Sequence, residues 1–342
     1  MAVRAFICGI SGTGIDQEEA AFLRTADPFG LILFRRNVDN PAQVQALTAK
    51  FRELVGRDAP VLVDQEGGRV QRLGPPHWPS YPPGSAYAAL YESRPDTGLE
   101  ATHLGGRLIA ADLRDVGIDV DCIPVADVPV AGADAVIGDR AFGTTPAQVA
   151  AIAGAQAQGL MAGGVLPVLK HLPGHGRATA DSHLRLPVVN TDRATLDATD
   201  FAAFRPLSSL PLGMTAHVVF SAIDAAQPAT TSAIMISDVI RGSIGFSGLL
   251  MSDDISMGAL SGTLAERSRA SIAAGCDLVL HCNGRMDEMR EVADASPQLA
   301  GDALRRAERA LSLRHAHDDF DIAAARARFA SLMYPQAAGA IV

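Results

Sequence analysis

The sequence predicts an eight-stranded (β/α)8 barrel, the TIM-barrel fold, with its active site at the carboxyl ends of the strands. First, short apolar runs alternate with longer stretches of helical spacing, which is typical of parallel α/β proteins. Second, the number of these runs favours a closed barrel over an open doubly wound sheet. The candidate strands span residues 5–9, 30–34, 60–64, 118–123, 165–170, 213–217, 248–253 and 277–281.

The segments between these runs carry helix signals. Several of the runs themselves are rich in valine, isoleucine and leucine without polar alternation, as expected for parallel strands buried on both faces. Residues 41–55 place their apolar side chains on one helical face. Residues 145–159 begin with threonine and proline, and residues 264–275 end at a glycine, which are common helix boundaries.

The third observation is that nearly every run ends in polar or charged side chains. In a barrel of parallel strands these ends meet at one mouth, where the active site is built. The polar ends lie at positions 35–37, 64–66, 127, 170–171, 217, 253–254 and 281–283.

Composition excludes several classes of protein. The chain has 342 residues, of which 48% are hydrophobic, and a formal net charge of −9. It can therefore fill a large core, and it lacks the basic surface that nucleic-acid binding requires. Four irregularly spaced cysteines, with no recognisable leader or membrane segment, favour reduced thiols in the cytoplasm. We expect one catalytic domain over residues 1–330, a tail over residues 331–342, and a monomer without nucleic-acid or membrane partners.

The densest polar cluster is the run over residues 170–183, which contains three histidines and a Pro-Gly pair and cannot form a regular helix. One interpretation is a loop with incidental histidines. A second is a metal site with ligands drawn from His171, His175, Asp181 and His183. A third is general acid/base chemistry, in which Asp181 orients and charges His183.

A second cluster follows the candidate strand 60–64. The adjacent Gly67 and Gly68 allow the backbone to turn tightly beside a ligand. Asp64 and Arg72 can hold a polyol by charge-assisted hydrogen bonds.

A third cluster contains Asp253 and Asp254, which end the candidate strand 248–253. Successive strand side chains point to opposite sides, so one of the two acids faces the barrel mouth. A carboxylate there is a candidate nucleophile toward an electrophilic carbon. The other acid bonds to the scaffold, and Asp254 is also a candidate helix N-cap.

Four motifs occur together along the chain in the order that is typical of one enzyme family. They are Gly-Leu-Ile-Leu-Phe at 30–34, Asp-Gln-Glu-Gly-Gly-Arg-Val at 64–70, Lys-His-x-Pro-Gly-His-Gly with Thr-x-Asp-Ser-His at 170–183, and Ser-Asp-Asp-x-x-Met at 252–257. The chain resembles the family 3 glycoside hydrolases over roughly residues 5–285, and within them the single-domain bacterial β-N-acetylhexosaminidases of peptidoglycan recycling. The histidine loop is the most specific motif, since related β-glucosidases lack it and draw their acid/base residue from another domain.

The resemblance implies a role for each matching residue. Asp253 is the nucleophile, and His183 is the general acid/base with Asp181 as its partner. The residues implied to bind the terminal N-acetylglucosamine are Asp64, Arg72, Arg140, Lys170 and His171. Two positions depart from the family pattern, because Ala141 replaces a small polar residue and Leu172 stands where phenylalanine is common. No cofactor and no metal are implied.

The resemblance implies an exo-acting retaining β-N-acetylglucosaminidase. It would remove terminal GlcNAc from muropeptide fragments of the GlcNAc-anhydroMurNAc type through a covalent glycosyl-enzyme intermediate. One alternative is a TIM-barrel metallohydrolase that uses His171, His175 and His183. The other two are a catalytically idle sugar-binding protein and a GlcNAc phosphorylase of the same mechanism.

Overall fold

The computed structural model describes residues 3–182, 184–315 and 319–335. Within these ranges the strands are β1 (Arg4–Cys8), β2 (Pro28–Leu33), β3 (Val61–Val63), β4 (Gln65–Gly67), β5 (Val70–Gln71), β6 (Val120–Asp121), β7 (Leu166–Leu172), β8 (Val188–Val189), β9 (Leu212–Thr215), β10 (Val219–Phe220), β11 (Leu249–Asp254) and β12 (Leu278–His281).

The α-helices described in the same ranges connect the strands or follow the last one. They are α1 (Gln17–Ala26), α2 (Pro41–Val55), α3 (Gly84–Ser93), α4 (Pro95–Asp115), α5 (Pro146–Ala162), α6 (Arg193–Ala198), α7 (Asp200–Phe204), α8 (Leu264–Ala274), α9 (Met286–Ala295), α10 (Gly301–Leu311) and α11 (Ile322–Met333).

Eight of the described strands form a closed parallel barrel in the spatial order β1, β2, β3, β6, β7, β9, β11 and β12. The barrel closes where β12 pairs with β1, with Phe6 opposite Val279. Each candidate strand of the sequence overlaps one of these strands, so the predicted (β/α)8 barrel is confirmed. Parallel pairing brings all eight carboxyl ends to one mouth.

Two apolar layers stabilise the barrel. Side chains such as Ile32, Leu62 and Met251 fill its interior, while their strand neighbours pack outward against the helices. Helix α2 illustrates the outer layer, because the Asn40 side chain accepts the NH of Gln43 at its start and its apolar face is buried. The alternation along each strand therefore separates the two layers.

Several elements go beyond the sequence prediction. The antiparallel hairpin of β4 and β5 follows β3 at the mouth. A π-helical segment, Met235–Ser243, lies between β10 and β11. At the opposite end, α10 packs Ala307 and Ala310 against the interior apolar cluster and closes the barrel. None of the helices in the described ranges has the length and apolar character needed to cross a bilayer.

The division at residue 330 stays a prediction. Helix α11 continues to Met333, and residues 336–342 of the predicted tail lie outside the described residues.

Asp277 connects strands and helices at the closed end of the barrel. Its buried Oδ2 accepts the NH of Leu250 at 2.9 Å and a guanidinium hydrogen bond from Arg241 at 2.9 Å. Arg306 of α10 also binds this carboxylate through two nitrogens. One carboxylate thus joins β11, the π-helical segment and α10.

We expect Asp277→Ala to lower the free energy of unfolding by roughly 3–5 kcal/mol, because it leaves a buried NH and two arginines without their acceptor. Denaturant unfolding measures the loss. The matched control is Glu53→Ala, which removes an exposed pair with Lys50 and should change the midpoint little. Equal midpoints for the two variants would contradict this interpretation.

Candidate active site

A single cavity of about 270 Å³ contains most of the predicted site residues and lies at the carboxyl mouth of the barrel. Its walls combine charged groups with apolar side chains from the barrel interior, such as Ile32, Met214 and Leu280. The predicted site residues that line it are Asp64, Arg72, Arg140, Lys170, His171, Asp181 and Asp253. The eighth predicted site residue, His183, lies outside the described residues.

One wall of the cavity is a chain of alternating charges. Lys170 Nζ lies 2.9 Å from Asp64 Oδ1 and 2.7 Å from Glu66 Oε1. Arg140 binds Glu66 in a bidentate pair, with Nε to Oε2 at 2.8 Å and Nη2 to Oε1 at 2.7 Å. Arg72 Nη2 lies 3.0 Å from Asp64 Oδ2 and completes the chain. We call these five residues the charge network.

Asp64, Glu66 and Lys170 of the charge network are ionised at neutral pH. Burial by itself raises the pKa of Asp64, but Lys170 and Arg72 outweigh it and hold that pKa well below its usual range. Burial likewise raises the pKa of Glu66, yet Lys170 and Arg140 bring it down to about 2. The same carboxylates raise the pKa of Lys170 above its ordinary value against the effect of burial. The wall thus offers fixed charges to hydroxyl groups of a ligand.

Glu66 is a site residue that the sequence analysis did not assign. It lies on the hairpin of β4 and β5, directly before Gly67, whose φ is 93°. A Cβ at Gly67 would lie 2.4 Å from the carbonyl oxygen of Pro82, so only glycine fits this turn. The available signal was its position in the same motif as Asp64.

The two acids at the end of β11 have different surroundings. Asp253 lines the cavity, following Leu249 and Met251, which fill the barrel interior. The register of β11 against β12 is interrupted between Met251 and Asp254, so both neighbouring acids border the cavity. Asp254 also borders the cavity, but its carboxylate accepts the NH of Ser256 at 3.0 Å, the Ser256 hydroxyl at 2.7 Å and the NH of Cys282 at 3.2 Å. Asp254 therefore holds the scaffold, and Asp253 is the acid available to a ligand.

The Asp253 carboxylate is held in its charged form. Burial raises its pKa, but His217, His171, the backbone NH of Asp254 and Lys170 together bring the pKa below its ordinary value. Burial also lowers the pKa of His217, so this imidazole is neutral at neutral pH. The NH of Asp254, 2.8 Å from Asp253 Oδ1, and the Lys170 charge contribute to this stabilisation.

His217 fixes the backbone beside these acids. Its Nε2 lies 2.9 Å from the carbonyl oxygen of Asp254, and its Nδ1 lies 2.7 Å from Thr230 Oγ1. A carbonyl oxygen only accepts, so Nε2 carries the proton and Nδ1 accepts from the threonine hydroxyl. The fully buried ring thereby ties β11 to the loop after β10.

Lys170 and His171 both line the cavity although they are neighbours in the chain. The register of β7 against β9 is interrupted between Leu169 and Leu172, so simple alternation does not apply here. Asp127, which is fully buried, lies 2.6 Å through Oδ2 from His171 Nδ1. Because the acceptor is a carboxylate, the proton is on Nδ1 and Nε2 is left for the cavity.

The loop after β7 returns to the cavity at Asp181. His175 Nε2 lies 3.0 Å from Ser182 Oγ, and both side chains are buried. Burial and the neighbouring His171 lower the pKa of His175 to about 4, so its ring is neutral at neutral pH. The predicted contact of Asp181 with His183 involves a residue outside the described part of the chain.

The metal interpretation of this loop is not favoured. His171 lines the cavity, but His175 does not, and the Nε2 of His175 is bonded to Ser182. Over residues 3–182, 184–315 and 319–335, no three or more His, Cys, Asp and Glu side chains are grouped as metal ligands.

Comparison with known proteins gives consistent matches. Residues 7–311 match the glycosyl hydrolase family 3 N-terminal domain. A beta-hexosaminidase of Alkalilimnicola ehrlichii is 40% identical over 287 residues, which cover 83% of this chain and 82% of the relative. A beta-hexosaminidase of Chromobacterium violaceum is 37% identical over 337 residues, covering 96% of this chain and 94% of that protein.

A solved structure shows the same architecture. NagZ of Neisseria gonorrhoeae, in complex with N-trifluoroacetyl-D-glucosamine, superposes with a TM-score of 0.86 and 33% identity, over 97% of this chain and 98% of that one.

The closed barrel and its carboxylate-lined mouth define the class, a barrel enzyme with its reactive groups at the carboxyl ends of the strands. The chain belongs to glycosyl hydrolase family 3 and is a glycoside hydrolase. Its two departures from the family pattern, Ala141 and Leu172, are buried and do not line the cavity.

We expect the stabilising effect of Glu66 to depend on pH. With a pKa of about 2 in the folded state and 4.5 as its ordinary value, Glu66 contributes its full stabilisation above pH 4.5. The contribution shrinks as pH falls from 4.5 toward 2, because the unfolded state gains a proton first. Denaturant unfolding of wild type and Glu66→Gln across this range should show a stability difference that narrows as pH falls. A constant difference would contradict the assignment.

Proposed function

We propose that this glycoside hydrolase is an exo-acting, retaining β-N-acetylglucosaminidase. The observation that carries the proposal is the placement of Asp253, an ionised carboxylate in the same cavity as the charge network. The network supplies carboxylate acceptors and cationic donors suited to sugar hydroxyls. Asp253 supplies the nucleophile that retention of configuration requires.

The specificity for an acetamido sugar is inferred from relatives. Those compared above are named beta-hexosaminidases, and the similar NagZ structure contains N-trifluoroacetyl-D-glucosamine. Exo action is supported by the size of the cavity, about 270 Å³, and by the ion pairs along its wall. We expect one terminal sugar to fill the cavity, with the leaving group toward the loop that contains Asp181.

The reaction takes two displacements. Asp253 attacks the anomeric carbon, the glycosidic C–O bond breaks, and an acid donates a proton to the departing oxygen. We assign that acid to His183, with Asp181 as its partner, on the motif resemblance. Water then attacks the glycosyl ester, His183 takes the water proton, and the Asp253 carboxylate is released.

The natural substrate is proposed to be a muropeptide fragment of the GlcNAc-anhydroMurNAc type, from which the terminal GlcNAc is removed. The protein is proposed to act as a cytoplasmic monomer. Its cysteines at 8, 122, 276 and 282 are all free and buried, which suits a reducing compartment. A phosphorylase is the alternative that shares this mechanism, since phosphate could replace water in the second displacement. Formation of GlcNAc-1-phosphate in phosphate buffer would favour the phosphorylase.

Substrate preference tests the proposed activity directly. We expect the protein to hydrolyse 4-nitrophenyl β-N-acetylglucosaminide much faster than the matching β-glucoside. The release of nitrophenol measures both rates. Absence of turnover on every aryl glycoside, with retained GlcNAc binding, would instead indicate a sugar-binding protein.

We expect Asp253→Ala to abolish turnover with little effect on folding, because Asp253 faces the cavity and supports no core packing. Mass spectrometry after reaction with an activated fluorosugar of GlcNAc type should locate the label on Asp253. The matched control is Asp254, whose carboxylate is occupied by Ser256 and Cys282. A label on Asp254 would overturn the assignment.

We expect His183→Ala to slow cleavage of poor leaving groups by about 10²–10⁴-fold, with much smaller losses on activated aryl glycosides. Asp181→Asn should give a milder form of this pattern. It should also move the alkaline limb of the pH profile to lower pH, since removing a negative charge lowers the pKa of a neighbouring histidine. Rates over a series of leaving groups measure both effects. Equal losses on good and poor leaving groups would remove His183 from the acid/base role.

A further inference from the structure

Asp127 connects His171, which lines the cavity, with the loop after β7. Its Oδ2 pairs with His171 Nδ1 at 2.6 Å, and its Oδ1 accepts the backbone NH of His175 at 2.6 Å. The carboxylate is fully buried. Burial raises its pKa, but His171 and His175 outweigh burial and keep the pKa below its ordinary value. One charged group therefore sets both the ring of His171 and the base of the loop.

Ser182 fixes the other end of the same loop. Its hydroxyl lies 3.0 Å from His175 Nε2, and its carbonyl oxygen accepts the NH of Ala259 at 3.1 Å. Ala259 follows β11, the strand that carries Asp253. Ser182 is 3% exposed, so its contacts are shielded from water. It is held between the β7 side and the β11 side of the cavity, directly after Asp181.

The first residues of the loop after His175 have little conformational freedom. A Cβ at Gly176 would lie 2.0 Å from the carbonyl oxygen of Val128, so the chain passes in direct contact with the segment that follows Asp127. Arg177 then binds Asp200 with Nε to Oδ2 at 2.6 Å. The hydrogen bond between His175 and Ser182 thus spans a loop whose first part is already tied down.

We propose that Asp127, His175 and Ser182 form a positioning chain that sets the segment at Asp181 relative to the sugar-binding His171 and to Asp253. The proposal rests on the proposed function, in which that segment supplies the proton to the leaving group. The three residues touch neither the sugar nor the departing oxygen. They act through hydrogen bonds, and their effect appears in proton transfer to the leaving group.

The test is the leaving-group dependence of Ser182→Ala. Rates are measured on N,N′-diacetylchitobiose and on aryl β-N-acetylglucosaminides whose phenols span a range of pKa. We expect kcat/KM to fall on the order of 10-fold for the disaccharide, less than for loss of the acid itself, while the most activated aryl substrate is unaffected. KM for that substrate should stay at the wild-type value, since His171 keeps its partner.

The matched control is Ser271→Ala. Ser271 is also a buried serine, and its hydroxyl donates to the carbonyl oxygen of Arg267 in α8 at 2.8 Å, away from the cavity. Its leaving-group dependence should equal that of wild type. A selective loss of the same size in Ser271→Ala would show a general effect of destabilisation and overturn the proposal.

Asp127→Asn tests the other end of the positioning chain. It weakens the partner of His171 and the anchor of His175 together, so KM should rise on every substrate and the disaccharide should lose additional kcat. A double-mutant cycle with His175→Leu and Ser182→Ala then tests their shared hydrogen bond. The double variant should lose no more disaccharide activity than the worse single variant.

Two results would overturn the positioning chain: additive losses in the cycle, or a wild-type leaving-group dependence in Ser182→Ala. Failure of the proposed function looks different, because wild type itself would then release no phenol from β-N-acetylglucosaminides. If His183→Ala shows the selective loss and Ser182→Ala does not, the proposed function stands and the positioning chain falls.

Discussion

The buried charge network is the interaction on which the rest of the site depends. Lys170 is 2% exposed, and charges so far from water are tolerated only when they are paired and hydrogen-bonded. Its partners Asp64 and Glu66 come from the end of β3 and from the hairpin that follows, and Arg140 comes from the loop before α5. The pairing requirement therefore holds the connections after β3 and β6 and the strand β7 in one arrangement. The polar surface offered to a sugar is a consequence of that requirement.

On the other side of the cavity, hydrogen bonds of His217, Asp254 and Asp127 hold the neighbouring groups in place. His217 is neutral and fixes the backbone at Asp254, and the Asp254 carboxylate accepts the NH of Cys282, directly after β12. Asp253 is thereby the acid whose carboxylate is available to a ligand, although both acids end the same strand. Asp127 plays a related role for His171. On this side of the cavity, a side chain that faces the cavity is positioned by a buried neighbour that is itself hydrogen-bonded.

Local pattern predicted most of the fold. The eight apolar runs became the eight barrel strands. Helix α2 spans the predicted 41–55, because its ends are set by Asn40, Pro41 and Gly56, which are part of the helix or directly adjacent to it. The hairpin of β4 and β5, the π-helical segment and the closing role of α10 were not predicted. Each depends on contacts distant in sequence, such as the binding of Arg306 to Asp277 and the packing of Gly67 against Pro82.

The sequence by itself determined the barrel, the mouth at which chemistry occurs and the motifs that place the chain among family 3 hydrolases. These follow from periodicity and residue type, which are local properties. Tertiary structure decided that Asp253 faces the cavity, that Glu66 completes the charge network and that Asp127 joins His171 to His175. Such choices depend on which side chains meet after strands distant in sequence become neighbours. A buried carboxylate acquires its role from the partners that the closed barrel brings within hydrogen-bonding distance.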